Sequence, residues 1–334
     1  MREAASAVQR PRVVVTRRLP GEALALLERV AEVRLWDSDE AMPRAELLAQ
    51  VATADALLCL LTEHIDAELL AAAPRLRVVA NMAVGYDNLD LAALAARGVV
   101  ATHTPGVLTE TTADLAFALL LAIARRLPEA ERFVREGRWT TWAPLLLVGR
   151  DVHGATLGID GAGRIGTAVA RRARGFGMQV LYTARTPRPE LEREVGARQV
   201  AFDELLAASD FISLHLPLTP ETRHRYDAAA LRRMRPTAYL VNTARGPLVD
   251  SAALYTALRE GWIAGAALDV TDPEPLPASS PLLSLPNCLV VPHIGSASVA
   301  TRTRMATLAA ENIVAVLEGR PPLTPIPRGS QHAP

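Results

Sequence analysis

The chain has 334 residues, 36 Lys+Arg against 36 Asp+Glu, a formal net charge of zero and 50% hydrophobic residues. That length points to about two domains, and the apolar content excludes a disordered chain. Neutrality excludes a global cationic field for nucleic acid and an acidic solvating tail. Every basic residue is arginine, so Schiff-base chemistry and a P-loop lysine are excluded. Cys59 and Cys288 lie far apart in apolar runs, as expected for buried, reduced thiols. Met1 to Pro11 has no apolar h-region and Leu115 to Ile123 is too short to span a bilayer. The chain therefore reads as cytoplasmic, with no membrane partner.

In chain order, strands are expected at Arg12–Thr16, Val33–Trp36, Ala56–Leu61, Val78–Asn81 and Val99–Thr102. Helices are expected between them at Gly21–Val30, Ala45–Ala52, Asp66–Ala72 and Leu89–Arg97. This alternation predicts an α/β fold with a parallel sheet covered by helices on both faces. A long apolar helix follows, Thr109–Arg126. Next comes Trp139-Thr140-Thr141-Trp142-Ala143-Pro144, with two of the four tryptophans. This stretch is either ordinary core or an arm, about residues 137–153, that buries apolar surface on a partner subunit.

A second alternating block has strands at Thr156–Asp160, Gln179–Ala184, Phe211–Leu216, Ala238–Asn242, Gly265–Val270 and Leu289–Val291. Its helices are Gly163–Arg174, Phe202–Ala207, Ala228–Met234 and Ser251–Glu260. The last helix, Thr301–Glu318, has no strand of its own, so we expect it to return to the first block. The expected organisation is two doubly wound parallel-sheet domains. A discontinuous, flavodoxin-like substrate domain covers 1–102 and 296–334, and an inserted Rossmann domain covers 103–295.

Gly161-Ala162-Gly163-Arg164-Ile165-Gly166 follows a strand and opens a helix, the context in which G-x-G-x-x-G marks a dinucleotide site. Gly161 would allow the tight turn, Gly163 the approach of backbone amides to a pyrophosphate, and Gly166 close helix–strand packing. The next strand normally ends in an acid for the ribose 2′-hydroxyl. Here it ends Thr183-Ala184-Arg185-Thr186-Pro187-Arg188, without an acid. Arg185, Thr186 and Arg188 suit a 2′-phosphate, so NADP(H) is favoured and NAD(H) admitted. Asp160 is discordant, because a carboxylate beside a pyrophosphate would repel it unless protonated or turned away.

Arg245, Glu274 and His293 follow strands of the second block, whose carboxyl ends should face a ligand crevice. With Val84-Gly85-Tyr86-Asp87-Asn88, Thr104-Pro105-Gly106-Val107-Leu108-Thr109-Glu110, the glycine loop, Asn242-Thr243-Ala244-Arg245-Gly246, Leu268-Asp269-Val270 and Pro292-His293-Ile294-Gly295-Ser296, the chain resembles the D-isomer-specific 2-hydroxyacid dehydrogenases. The likeness is greatest to their glyoxylate/hydroxypyruvate reductase branch and runs from about Arg12 to about Leu323.

The resemblance implies that Arg245 binds the substrate carboxylate, that His293 donates a proton to the developing alkoxide, and that Glu274 orients His293 and favours its charged form. It implies that amides near Val84 and Gly85 hold the carboxylate. Thr112, Ala244 and Asp269 would face the nicotinamide end, and Thr243, Arg245 and His293 would also contact the cofactor. Ala184 would contact the cofactor as well, and His215 and Pro217 would lie near the adenosine. No metal is implied. The resemblance also implies a homodimer contacting through the Trp139–Trp142 arm.

Physical chemistry agrees, because hydride transfer to a keto carbon leaves negative charge on oxygen that a cation and a proton donor must meet. The expected reaction is NADPH-dependent reduction of glyoxylate to glycolate and of hydroxypyruvate to D-glycerate. Alternatives are a phosphite-type or phosphoglycerate-type relative and a non-enzymatic dinucleotide-sensing co-regulator. Phosphite-type relatives carry lysine where Val84 stands, and phosphoglycerate-type relatives an acid where Arg185 stands.

Overall fold

The computed structural model describes residues 10–327. The chain divides into two compact units, one made by the chain up to Leu108 and again from Ala297, the other by Thr109–Ser296. The first crossing falls a few residues after the expected 102/103 boundary. Segment 103–108 stays with the first unit because His103 N–H donates to Thr324 O and Thr104 N–H to Ala83 O.

In the first unit, β1 (Arg12–Val15), β2 (Glu32–Leu35), β3 (Ala56–Cys59), β4 (Val78–Asn81) and β5 (Val100–Thr102) form a parallel sheet in the order β2-β1-β3-β4-β5. β3 reads Ala-Leu-Leu-Cys and β4 Val-Val-Ala-Asn, buried at every position, because helices cover both faces of a parallel sheet. On one face Val14, Leu57 and Val79 pack against Leu47, Leu69 and Leu94 of α2 (Arg44–Val51), α3 (Ala67–Ala72) and α4 (Leu91–Ala96). The C-terminal helix Val299–Leu317 packs on α1 (Ala23–Val30), β3 and β4. Asp66 and Asp90 start α3 and α4 by accepting backbone N–H bonds from Leu69 and Ala93, which suits their short acidic side chains.

The second unit starts with α5 (Thr109–Ala124) and α6 (Leu127–Arg135). Its seven parallel strands run β12-β11-β10-β9-β6-β7-β8: β6 Thr156–Asp160, β7 Gln179–Thr183, β8 Arg198–Gln199, β9 Phe211–Leu214, β10 Tyr239–Asn242, β11 Gly265–Leu268 and β12 Cys288–Val290. α7 (Arg164–Gly175), α8 (Pro189–Val195), α9 (Phe202–Ala208), α10 (Ala228–Arg233) and α11 (Ser251–Arg259) complete it, and the C-terminal helix is thus α12. Order reverses between β6 and β9, and the ends of those strands frame the crevice where such sheets bind ligands.

These two sheets are the doubly wound α/β class that the alternation predicts. α6, α8 and β8 are additions to the predicted list. α6 carries an apolar stripe, Leu127, Ala130 and Val134, but buries none of its residues. Both cysteines are free, and burial pushes their thiols up, Cys288 to about 12.

Candidate active site

β6 ends at Asp160 and α7 begins at Arg164, so the three residues between them make the whole turn. Gly161 has φ 101°, and a Cβ there would lie 2.9 Å from the His215 carbonyl carbon, so the turn admits only glycine. A Cβ on Gly166 would lie 2.3 Å from Gly161 O, whereas one on Gly163 would meet nothing within 4 Å. The space over the loop is therefore open while the helix start is pressed against the strand. Gly163 caps α7 without a side chain, and the first-turn N–H groups of a helix, here of Arg164, Ile165 and Gly166, have no intrahelical acceptor. That arrangement suits a phosphate. The N–H groups of Gly161 and Ala162 both donate to Thr183 O, at 3.3 and 3.2 Å, tying the loop to the end of β7.

Beyond β7, Arg185, Thr186 and Arg188 are exposed. Their backbone is held at both sides, since Gln199 Nε2 donates to Ala184 O at 2.8 Å and Arg188 N–H to the Tyr182 hydroxyl at 2.8 Å. Beyond β9, His215 N–H donates to Asp160 O at 2.8 Å, which sets the His215–Pro217 backbone beside Gly161. Desolvation pushes the His215 pKa down to about 3, so the ring is neutral and pairs with Ser213 Oγ at 2.8 Å.

At the end of β10, Asn242 folds the chain back on itself. Its Oδ1 accepts Ala244 N–H at 3.0 Å and its Nδ2 donates to Arg245 O at 2.8 Å. Arg245 is thereby fixed in an extended conformation ahead of a tight turn at Gly246–Leu248. A Cβ on Gly246 would lie 1.9 Å from Thr271 O, so this glycine brings the loop after β10 onto the loop after β11. Glu274 sits on that second loop. His293 Nδ1 lies 2.6 Å from Glu274 Oε1, and Thr271 N–H donates to Glu274 Oε2 at 3.3 Å. Burial pushes the Glu274 carboxyl up, but the His293 bond and charge, the Thr271 amide and the Arg245 charge together hold it below its usual range. The set Arg245, Glu274 and His293 is thus assembled around one carboxylate.

His293 has φ 53°, a left-handed conformation uncommon outside glycine and found at sites that over-determine it. Asp269 supplies the constraint. Its carbonyl accepts His293 N–H at 2.9 Å, and its carboxylate accepts Ile294 N–H at 2.6 Å and Gly295 N–H at 2.8 Å. Burial pushes the Asp269 carboxyl up, against those two amides and the His293 charge. Thr112 closes this corner, since a Cβ on Gly295 would lie 2.9 Å from Asp269 Oδ2 and 3.4 Å from Thr112 Cγ2. Thr243, the residue after β10, is buried, and its hydroxyl has no hydrogen-bond partner among the described residues. That orphaned donor, the uncapped start of α7 and the open space over Gly163 fit a dinucleotide laid along the strand ends.

Val84 and Gly85 belong to the first unit and are half-buried. Asn81 Nδ2 donates to Gly85 O at 2.9 Å, and Val84 O faces His103 Nδ1 at 2.9 Å. Asn88 Nδ2 donates to Leu60 O and Glu63 O at 3.1 and 2.9 Å, so the loop after β4 is anchored at both ends.

The charge conflict expected at Asp160 does not arise. Its side chain is fully buried and turned into the protein, where Arg225, Tyr226 and Thr183 donate to it. Sequence reasoning missed those three residues, because they come from two segments far apart in the chain. The signal was the discordant acid itself, which needs a buried cation somewhere.

Fold and site together define an oxidoreductase that works with a nicotinamide dinucleotide. The family described as D-isomer specific 2-hydroxyacid dehydrogenase, NAD binding domain, matches residues 117–295. A glyoxylate reductase of Korarchaeum cryptofilum is 54% identical over 315 residues, covering 94% of this chain and 95% of that protein. A glyoxylate reductase of Thermococcus litoralis is 50% identical, covering 94% and 96%. Among solved structures, a Thermus thermophilus protein superposes with TM-score 0.90 at 52% identity, covering 95% and 100% of the two chains. An NADPH-dependent glyoxylate/hydroxypyruvate reductase from Sinorhizobium meliloti, in complex with NADP and malonate, superposes with TM-score 0.83 at 37% identity, covering 96% and 98%. The chain belongs to the D-isomer-specific 2-hydroxyacid dehydrogenase family and is an NAD(P)-dependent oxidoreductase.

Among the described residues no group of His, Cys, Asp and Glu could hold a metal ion, and no helix is long and apolar enough to cross a membrane.

Proposed function

We propose that the protein reduces glyoxylate to glycolate and hydroxypyruvate to D-glycerate with NADPH. The observation that carries this reading is the 2.6 Å contact of His293 with Glu274, with Arg245 close enough to lower the same carboxyl. The bound dinucleotide would supply the hydride. His293 Nε2 would give its proton to the oxygen on which charge develops, while Nδ1 stays on Glu274. The Arg245 guanidinium would anchor the substrate carboxylate and draw charge from the carbonyl oxygen, a role suited to its two-pronged donors. Amides at Val84 and Gly85 would hold the carboxylate as well. The reductase names carried by relatives at 50% identity and above support glyoxylate as substrate.

NADPH is preferred in this reading because Arg185, Thr186 and Arg188 are exposed at the end of β7, where no acid stands to meet a bare ribose. Thr112, Ala184, His215, Pro217, Thr243, Ala244 and Asp269 would line the remainder of the dinucleotide. The first unit would be the substrate domain and the second the dinucleotide-binding domain.

The test follows oxidation of NADPH and of NADH with each oxo acid, comparing the parent with Arg245→Ala. We expect kcat/KM to fall by about 10³ or more in the variant, the scale of losing a charged anchor in the transition state. Undiminished turnover would overturn the assignment, and equal kcat/KM with the two cofactors would overturn the NADPH preference.

We also propose a homodimer joined through residues 137–153. Its support is Trp139, Trp142 and Leu145, exposed at 61%, 78% and 86%, more apolar surface than a solvated loop leaves in water. Sedimentation at micromolar concentration should give twice the 35.8 kDa chain mass, and a monomer would refute it.

A further inference from the structure

Asp160 is a fully buried carboxylate with no part in the proposed reaction, one residue ahead of the phosphate loop. Arg225 Nε donates to its Oδ2 at 2.9 Å and Arg225 Nη2 to its Oδ1 at 3.4 Å. The Tyr226 hydroxyl donates to Oδ2 at 2.9 Å, and the Thr183 hydroxyl donates to Oδ1. Each carboxylate oxygen thus accepts two donors, which fills its capacity. Arg225 is held from its far side by the Phe202 ring, 3.7 Å from the guanidinium carbon, and Phe202 meets Tyr226 edge-on at 5.5 Å.

The cluster therefore joins the separate walls that a dinucleotide must meet. Asp160 leads into the glycine loop at the pyrophosphate. Thr183 ends β7, and its carbonyl holds the N–H groups of Gly161 and Ala162 while its hydroxyl is held by Asp160. Asp160 O, in turn, holds His215 N–H. Arg225 and Tyr226 close the loop that follows β9, with Tyr226 N–H on Leu248 O.

We propose that Asp160, with Arg225, Tyr226 and Thr183, is a positioning cluster that sets the glycine loop for nicotinamide dinucleotide binding. A buried apolar residue would fill the same volume but could not fix the Thr183 hydroxyl or the Arg225 guanidinium in direction. A guanidinium that keeps its charge at every accessible pH supplies the permanent countercharge. The acid therefore orients the loop amides without presenting negative charge to the phosphates. The inference rests on the dinucleotide site, not on which dinucleotide or which oxo acid is used.

The test is calorimetric titration of Asp160→Asn and Thr183→Val with NADPH and with NADH, together with amide hydrogen exchange of residues 161–166 in cofactor-free protein. Asp160→Asn keeps the shape but turns an N–H toward Arg225. Thr183→Val deletes one donor and is the variant that decides if the first does not fold. We expect Kd for both dinucleotides to rise about tenfold in Asp160→Asn and about threefold in Thr183→Val, the scale of one charged and one neutral hydrogen bond. Loop amides should exchange faster in both variants. KM for the dinucleotide should rise with Kd while kcat at saturation stays within about threefold, a split that loss of stability alone does not produce.

Kd values within about twofold of the parent in folded protein, with unchanged loop exchange, would overturn the proposal and leave a core cluster only. Weakening confined to NADPH would overturn it too, by moving the effect to the Arg185 end of β7. If the parent binds NADPH and NADH equally, the NADPH reading fails and this one stands.

Discussion

Two carboxylates of the second unit, Asp160 at the end of β6 and Glu274 on the loop after β11, each meet a basic side chain, and the two pairs are built oppositely. Asp160 is 0% exposed and Arg225 26%, and the cation of that pair is always charged. Glu274 and His293 keep 34% and 26% of their side chains exposed, and the partner of that acid is an imidazole, a group able to give up a proton. The sealed pair locks backbone in place, and nothing about it needs to change in turnover. In the proposed reaction the open pair would pass a proton and be recharged from water. Its backbone also carries the left-handed conformation of His293, held by Asp269, whereas Asp160 lies in regular strand. Under the two proposals, exposure and the partner's ability to lose a proton decide whether an acid–cation contact serves chemistry or scaffold.

The largest expected effect breaks the open pair. His293→Asn should lower kcat by about 10²–10⁴-fold, the range for removing a general acid. Steady-state rates with glyoxylate check it, and a loss under about tenfold would make the two pairs alike. Next comes the sealed pair read as stability. Asp160→Asn should cost about 3 kcal/mol, as when one partner of a buried pair is removed. Urea midpoints measure that cost, and parental stability would mean that Arg225 finds another acceptor.

The smallest effect is the pH slope of the open pair. The folded pKa of Glu274 is lowered, so its contribution is complete above the ordinary carboxylate value of about 4.3 and is lost as pH falls through the folded value. Between about pH 5 and 3 the parent should lose more stability than Glu274→Gln. Parallel urea midpoints for the two over that window would show that the pair contributes nothing through Glu274.

Much of the site was legible in the chain itself. Gly161, Gly163 and Gly166 carry their roles in their spacing, because a turn, an open approach and a close helix contact each leave a glycine. Periodicity placed most strands within a residue or two, since buried parallel strands such as Ala56–Cys59 are apolar throughout. Asn242 folds the backbone back onto its own side chain within three residues, whereas Asp269 holds the amides of Ile294 and Gly295, 25 and 26 residues away, a contact no local motif shows. α6 and α8 were missed because each is short and opens at a proline, although α6 is strongly amphipathic.

By itself, then, the sequence determined a doubly wound α/β chain of two blocks, a dinucleotide loop and an Arg–Glu–His set, all of which depend on residue type at short spacing. Tertiary structure alone decided what Asp160 does. Its three donors lie 23 residues away, at Thr183, and 65 and 66 residues away, at Arg225 and Tyr226. No periodicity links positions so far apart. The parallel order β9-β6-β7 carries them together, and the direction of one buried side chain turned an expected repulsion into a support for the loop.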